Sequence, residues 1–149
     1  MTTAVADSAR SGRRGPDVRS DARERALYAL YEAHSKGLSP TDVLAGHVVA
    51  ADELTTQLVL GVEEHGERLD AAIAARAKGW TLGRMPVLDL SVLRLAAYEL
   101  AERPDVPVAV VIDEAVELAK RFSTDDSGKF VNGVLSALAK DLRLPSERE

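Results

Sequence analysis

The side chains best suited to binding chemistry lie close together between residues 125 and 135. Asp126 or Ser127 can cap a helix that begins here, and the free N–H groups at a helix start attract anions such as phosphate. Lys129 adds a positive charge to this helix start. Phe130 beside it offers a ring that either joins the core or stacks on a nucleobase. The segment therefore indicates an anion site next to an aromatic surface.

The same segment contains glycines where a helix does not favour them. Apolar residues recur every three or four positions from Phe130 to Leu138, which predicts a helix, yet Asn132-Gly133 more often marks a tight turn. Glycine inside a helix costs about 1 kcal/mol relative to alanine. We interpret this violation as a sign of close backbone packing or of a functional surface. Gly128 is interpreted as keeping the backbone N–H groups accessible.

A second group of basic residues lies near the N-terminus. Residues 1–25 carry six Arg against four acidic residues, while the whole chain has a net charge of −5, so a mildly basic head precedes an acidic body. Arg19 and Arg23 lie one helical turn apart and are candidates to face the same nucleic-acid strand. Single-stranded RNA is held by such phosphate contacts together with aromatic stacking, which Lys129 and Phe130 would supply.

Other kinds of chemistry find little support in the sequence. Cysteine is absent, the three histidines are too scattered for a metal site, and no catalytic motif is present, so we expect neither enzymatic activity nor a cofactor. The acidic face of Asp113, Glu114 and Glu117 is explained by solvation and by pairing with Lys120 and Arg121. No apolar run approaches the length of a membrane span, and the chain is expected to be cytoplasmic.

The elements that must position these residues are helices throughout. We predict an all-α, single-domain bundle of about seven helices over residues 19–144, preceded by a disordered basic arm (1–18) and followed by a frayed tail (145–149). Trp80 is expected to fill the core between helices, because a side chain of this size is costly to expose, and base stacking is its less favoured alternative role. The predicted helices begin near Ser20 or Asp21, Ser39-Pro40, Asp52, Gly66, Pro86, Pro107 and Ser127.

Four segments resemble a known family. Residues 123–135 (STDDSGKFVNGVL) are similar to the C-terminal signature of the NusB family of bacterial transcription antitermination factors. Three further segments match in the same order, and together the four span about residues 20 to 140. They are 26–31 (ALYALY), 91–100 (SVLRLAAYEL), and 105–107 (DVP) running into 112–120 (IDEAVELAK).

This resemblance implies a helical bundle without enzymatic activity. Family members bind the boxA element of nascent ribosomal RNA together with NusE, a ribosomal protein, within an RNA polymerase antitermination complex, and they aid ribosomal RNA maturation. Carried onto this chain, the RNA contacts fall on Arg19, Arg23, Asp126, Lys129 and Phe130. The NusE contacts fall on Tyr31 and Asp89. The Arg-rich segment departs from the family pattern, since Ser20 and Asp21 stand where relatives often carry basic residues.

Two other functions remain open at this point. One is a helical interaction module without RNA specificity, which the acidic body and the sparse Arg segment favour. The other is the accessory domain of a ribosomal RNA methyltransferase, although a chain that ends at Glu149 leaves no room for a catalytic domain. A homodimer formed through an exposed Phe130 face is also possible on this sequence.

Overall fold

The computed structural model describes residues 18–143, and this part of the chain is helical with no strand. The predicted arm lies outside the described residues except for Val18, which is already helical, and the predicted tail lies outside them altogether. The helices are α1 (Val18–Lys36), α2 (Pro40–Ala45), α3 (Glu53–Glu64), α4 (Gly66–Arg76), α5 (Val87–Glu102), α6 (Val108–Phe122) and α7 (Asp125–Leu142), with a 3₁₀ turn at Leu82–Arg84. The predicted all-α bundle of about seven helices is confirmed.

The break between α1 and α2 follows from three adjacent residue types. Gly37 has a φ of +69°, the left-handed conformation that ends many helices. The N–H of Leu38 then reaches the carbonyl of Ala33 at 2.9 Å, which closes the last turn of α1. Ser39 accepts a hydrogen bond from the N–H of Asp42, and Pro40 occupies the first turn of α2, as the sequence predicts.

Helix α5 is the centre of the bundle. It packs against α1, α3, α4, α6 and α7, and most of its residues are buried. On one side Tyr98 lies directly over Gly61 of α3, so close that any side chain at this position would collide with the ring. The glycine therefore sets the spacing between α3 and α5.

The C-terminal end of α5 is closed by a residue from the end of the chain. The buried guanidinium of Arg143 donates to the carbonyls of Leu100 (3.0 Å), Val106 (2.7 Å), Glu99 (3.1 Å) and Arg103 (3.2 Å). These include carbonyls that the end of a helix leaves without intrahelical partners. Arg143 thus fixes the turn between α5 and α6 to the end of α7.

Candidate nucleic-acid interface

Helix α7 begins earlier than the sequence predicts. Thr124 is the cap, and its hydroxyl accepts from the N–H of Ser127 at 2.9 Å. Ser127 is buried, and its own hydroxyl donates to Asp89 Oδ2 at 3.0 Å. The prediction that Asp126 or Ser127 caps this helix is therefore wrong. Residues 123–127 are all types that favour a cap, so their order alone does not decide which one acts.

Gly128 is needed for packing and does not expose the backbone. Its N–H donates to the carbonyl of Thr124 at 3.1 Å, and the residue is buried beneath the side chain of Lys120. A Cβ at this position would lie 2.5 Å from Lys120 Cγ. The absence of a side chain lets the stem of Lys120 cross from α6 onto α7. The sequence-based interpretation of accessible N–H groups is corrected accordingly.

This crossing brings two lysines to one groove. Lys120 and Lys129 line an open groove of about 360 Å³ together with Val116, Asp125 and Asn132. Neither lysine forms an ion pair with another residue of the described part of the chain. Asn132 and Gly133 continue the same exposed strip, and a Cβ at Gly133 would meet nothing within 4 Å. Of the two interpretations of this glycine, the structure supports an open surface and not close packing.

Two aromatic rings meet on the other side of α7. Phe130 is half-buried, and its ring centroid lies 5.8 Å from that of Trp80, with the planes inclined at 57°. Trp80 itself is 47% exposed, so the prediction that it fills the core is wrong. It stands on the loop between α4 and the 3₁₀ turn, where its ring packs beside that of Phe130 at the surface. The rings border a depression of about 320 Å³ whose other walls are Pro86, Asp89, Thr124, Asp126 and Ser127.

Asp89 lies in the wall of this depression, in the first turn of α5. It is only 4% exposed; Oδ2 accepts the hydroxyl of Ser127, and Oδ1 has no hydrogen-bond partner within residues 18–143. Burial raises the pKa of this carboxyl, against the opposing effect of the Ser127 and Ser123 hydroxyls. A carboxylate so enclosed offers no surface to a protein partner. The expectation that Asp89 contacts NusE directly is corrected for this reason.

The two predicted arginines have different environments. Arg19 is exposed on the first turn of α1. Arg23 is 4% exposed and pairs with Glu99 through two hydrogen bonds, of 2.7 Å and 2.9 Å, while its Nη1 lies 3.7 Å from Glu114. Arg23 therefore ties α1 to α5 and α6, and the prediction that it contacts RNA is corrected. Glu114 is likewise buried and accepts from Ser20 at 2.9 Å, so it does not belong to a solvated acidic face.

Side chains of α6 connect the surface of α1 with that of α7. Arg121 lies 3.3 Å from Glu24 of α1 and sits over the ring of Phe122, 4.7 Å from its centroid. Tyr28 of α1 meets Phe122 edge to face at 5.5 Å. Since the neighbouring Lys120 crosses onto α7, the end of α6 joins both helices. Tyr31 is also exposed on α1, at 44%.

The described residues also bear on metal binding and on membrane insertion. Among residues 18–143, no group of three or more His, Asp or Glu side chains is placed to hold a metal ion. Each helix in the same range is too short or too polar to cross a lipid bilayer.

Most of the chain is similar to known proteins. The sequence profile of the NusB family matches residues 20–140. The transcription antitermination protein NusB of Saccharopolyspora erythraea is 50% identical over 128 residues, covering 82% of this chain and 86% of that protein. NusB of T. maritima superposes with a TM-score of 0.79 at 32% identity, covering 89% of this chain and 97% of that one. A NusB chain solved with NusE and double-stranded RNA superposes with a TM-score of 0.71 at 28% identity, covering 83% and 96%.

Proposed function

The chain belongs to the NusB family, and we propose that it is a transcription antitermination factor that binds boxA-type RNA together with NusE. In this role it would act in the cytoplasm on nascent ribosomal RNA, promote read-through by RNA polymerase and aid RNA maturation. It would work by binding alone, without catalysis or a cofactor. The matched relatives are antitermination proteins, and one matched structure contains NusB, NusE and RNA.

The observation that carries the RNA part of this proposal is the division of α7 into two faces. On one side of α7, Lys129 and the neighbouring Lys120 of α6 line an open groove. On the other side, Phe130 of α7 lies beside Trp80 of the loop. Ammonium groups bind phosphate, and aromatic rings stack on bases. The phosphate group and the base of a nucleotide can therefore be bound on the two sides of α7. Asp126 is exposed beside them and can accept a hydrogen bond from a ribose hydroxyl.

The path of the strand follows from the connection between helices. Arg19 lies five residues before Glu24, which corresponds to about 7.5 Å along α1. Glu24 contacts Arg121, and the adjacent Lys120 reaches α7. We infer that the RNA backbone runs from Arg19, past the end of α6, to Lys129. Arg23 takes no part, because it is buried beneath this surface.

Of the two residues expected to contact NusE, we propose Tyr31 alone as a direct contact. Tyr31 is exposed on α1 and combines an apolar ring with a hydroxyl, a combination common in protein interfaces. Asp89 is no longer proposed as a contact. The test is a Tyr31→Ala variant, which should weaken NusE binding and leave RNA binding without NusE unchanged.

The RNA proposal is tested by titration with a short boxA RNA, with and without NusE, at two salt concentrations. A scrambled RNA is the control. We expect tighter binding to the boxA sequence when NusE is present. Lys129→Ala should weaken binding to both RNAs by a similar factor and reduce the salt slope by about 0.7, the loss of one single-strand phosphate contact. Unchanged affinity and slope for Lys129→Ala and Lys120→Ala would contradict the proposed surface.

One observation favours a second function, an interaction module without RNA specificity. The chain carries a net charge of −5, and one of its family-matched arginines is committed to a buried ion pair. On this account NusE binds tightly while both RNAs bind equally weakly. The same titration separates the two functions.

A further inference from the structure

We propose that the depression between α5 and α7 is a subsite for a single unstacked nucleobase, and that Asp89 recognises an N–H group on the edge of that base. This inference rests on the proposed RNA binding and names the part of the RNA that one site would take. It assigns base recognition to Asp89 and stacking to Trp80, in addition to the phosphate contacts on the other side of α7.

The shape of the depression suits a flat ring. Its volume is about 320 Å³, and Trp80, Phe130 and Pro86 give it walls that are largely apolar. The two aromatic rings are inclined at 57°, so they form an open wedge and do not stack on each other. Unstacked bases of single-stranded RNA are commonly held on such aromatic side chains. A base entering the wedge would stack on one ring and contact the other.

Asp89 adds to these apolar walls an oxygen atom that needs a hydrogen-bond donor. Buried polar atoms in folded proteins nearly always have a hydrogen-bond partner, so an unpartnered Oδ1 in a residue only 4% exposed calls for a reason. An ionised carboxylate accepts hydrogen bonds and donates none. The ligand must therefore supply a donor, and the N–H groups on the edges of bases are donors of the required kind.

The charge of the site selects a base over a phosphate. Asp89 and Asp126 both line the depression, and neither forms an ion pair with a residue of the described chain. Two carboxylates repel a phosphate group, whereas the lysine groove on the opposite side of α7 attracts it. A nucleotide can thus be oriented with its base toward Asp89 and its phosphate toward Lys129.

Entry of the base requires a side chain of the depression to move, because Asp89 Oδ1 is closed to solvent. We assign this movement to Trp80, which lines the same depression. Trp80 stands on the loop between α4 and the 3₁₀ turn and is already about half exposed, whereas Phe130 is fixed on α7. Since Trp80 is the one tryptophan of the chain, its fluorescence reports directly on this step.

The experiment measures the affinity of the full-length chain, with NusE, for a set of boxA RNAs. In this set each nucleotide is replaced in turn by an abasic site and by the other three bases. At one position we expect the abasic change to weaken binding about ten-fold, as for the loss of one stacked base, and to abolish a change in Trp80 fluorescence. The Trp80→Ala variant should bind the RNA that is abasic at this position about as tightly as it binds the intact RNA. Abasic sites at other positions should weaken its binding as they do for the wild type.

Asp89→Asn tests the recognition step and is close in shape to the original side chain. The amide adds a donor, so the order of preference among the four bases should change at the same position and at no other. Asp126→Asn is the matched control, because it neutralises an exposed carboxylate of the same depression. We expect it to alter affinity for all the RNAs by a similar factor without changing that order.

The outcomes separate this inference from the proposed function. Salt-dependent boxA binding that needs Lys129, with no position sensitive to Trp80 or Asp89, overturns the subsite and leaves the function standing. Absence of boxA binding overturns both. A uniform loss of affinity in Asp89→Asn, accompanied by a lower melting temperature, would show that the carboxylate only holds Ser127. If Trp80→Ala abolished self-association and left RNA preference unchanged, the ring would serve a second copy of the chain and the subsite would be wrong.

Discussion

Helix α5 buries two carboxylates, and their surroundings differ. Glu99, near the end of the helix, receives two hydrogen bonds from Arg23, and Arg143 closes the adjacent carbonyls. Asp89, in the first turn, receives one hydroxyl and keeps an oxygen without a partner beside two accessible rings. Burial is similar at 2% and 4%, so the two sites differ in their hydrogen bonds and in the arginine that pairs with Glu99. We therefore propose that the hydrogen-bond-saturated end of α5, at Glu99, holds the fold and that the unsaturated end, at Asp89, binds a base.

The largest expected effect is at the saturated end. Glu99→Gln removes one charge of a pair whose side chains are 5% and 3% exposed, so the buried guanidinium of Arg23 loses the carboxylate that it contacts at 2.7 Å. Breaking such a buried pair costs about 3 kcal/mol or more. Urea unfolding of the wild type and the variant measures the loss. Glu114→Gln is the matched control and should cost less, because its distance to Arg23 is 3.7 Å. Equal and small losses in both variants would contradict a structural role for this pair.

A smaller effect separates the packed and open glycines of α7. The Cβ that Gly133→Ala adds has no neighbour within 4 Å. This substitution should therefore raise the free energy of unfolding by about 1 kcal/mol, the difference in helix propensity between glycine and alanine. Gly128→Ala gains the same propensity but pushes on Lys120, so it should be destabilising, by about 1 kcal/mol or more, and should also weaken RNA binding. Thermal and urea unfolding compare the two. Similar gains in both variants would show that Lys120 moves away without cost.

At the unsaturated end the expected effect on stability is small and depends on pH. Burial raises the pKa of Asp89 above its ordinary 3.8 in the folded protein. At pH values below 3.8 the protonated carboxyl makes its full contribution to the free energy of unfolding. This contribution is lost as the pH rises through the pKa that the group has in the folded protein. Asp89→Asn does not titrate there. The free energy of unfolding of the wild type relative to this variant should therefore fall as pH rises across that interval. A rise would mean that the ionised form is the stabilised one.

The smallest effect is expected for an exposed pair. Arg76 of α4 contacts Asp141 of α7 through two hydrogen bonds, and both side chains are 36% exposed. Hydrogen bonding from Arg76 lowers the pKa of Asp141, so this pair contributes stability above the ordinary pKa and loses it as pH falls. Asp141→Asn should change the unfolding midpoint only slightly, and less at high salt. A loss as large as that of Glu99→Gln would remove the distinction between buried and exposed pairs.

The sequence predicts the helices well because their signals are local. Ser39 and Pro40 mark a helix start, Gly37 marks a helix end, and the apolar period of α5 marks a central helix. These features depend on neighbours along the chain. The family signature also locates Lys129 and Phe130, which line two different depressions beside α7.

The environment of the site residues depends on partners that are distant in sequence. Arg23 and Glu99 are 76 positions apart, and Ser127 and Asp89 are 38 apart. Helical spacing placed Arg23 one turn after Arg19 but gave no sign that it was buried. The size of Trp80 predicts a core position, whereas the structure leaves it 47% exposed on the loop between α4 and the 3₁₀ turn. A buried acceptor without a partner becomes visible only once all the helices are assembled.

The most direct test measures stability and base preference for the same two variants. Asp89→Asn and Glu99→Gln are prepared in parallel, unfolded in urea at neutral pH, and titrated with boxA RNAs that carry each base at the sensitive position. We predict that Glu99→Gln lowers the free energy of unfolding and that its folded fraction keeps the wild-type order of bases. We predict that Asp89→Asn is no less stable than the wild type and changes that order. The reverse pattern, or a loss of stability in both with no change in preference, would contradict the division of α5 into a structural end and a binding end.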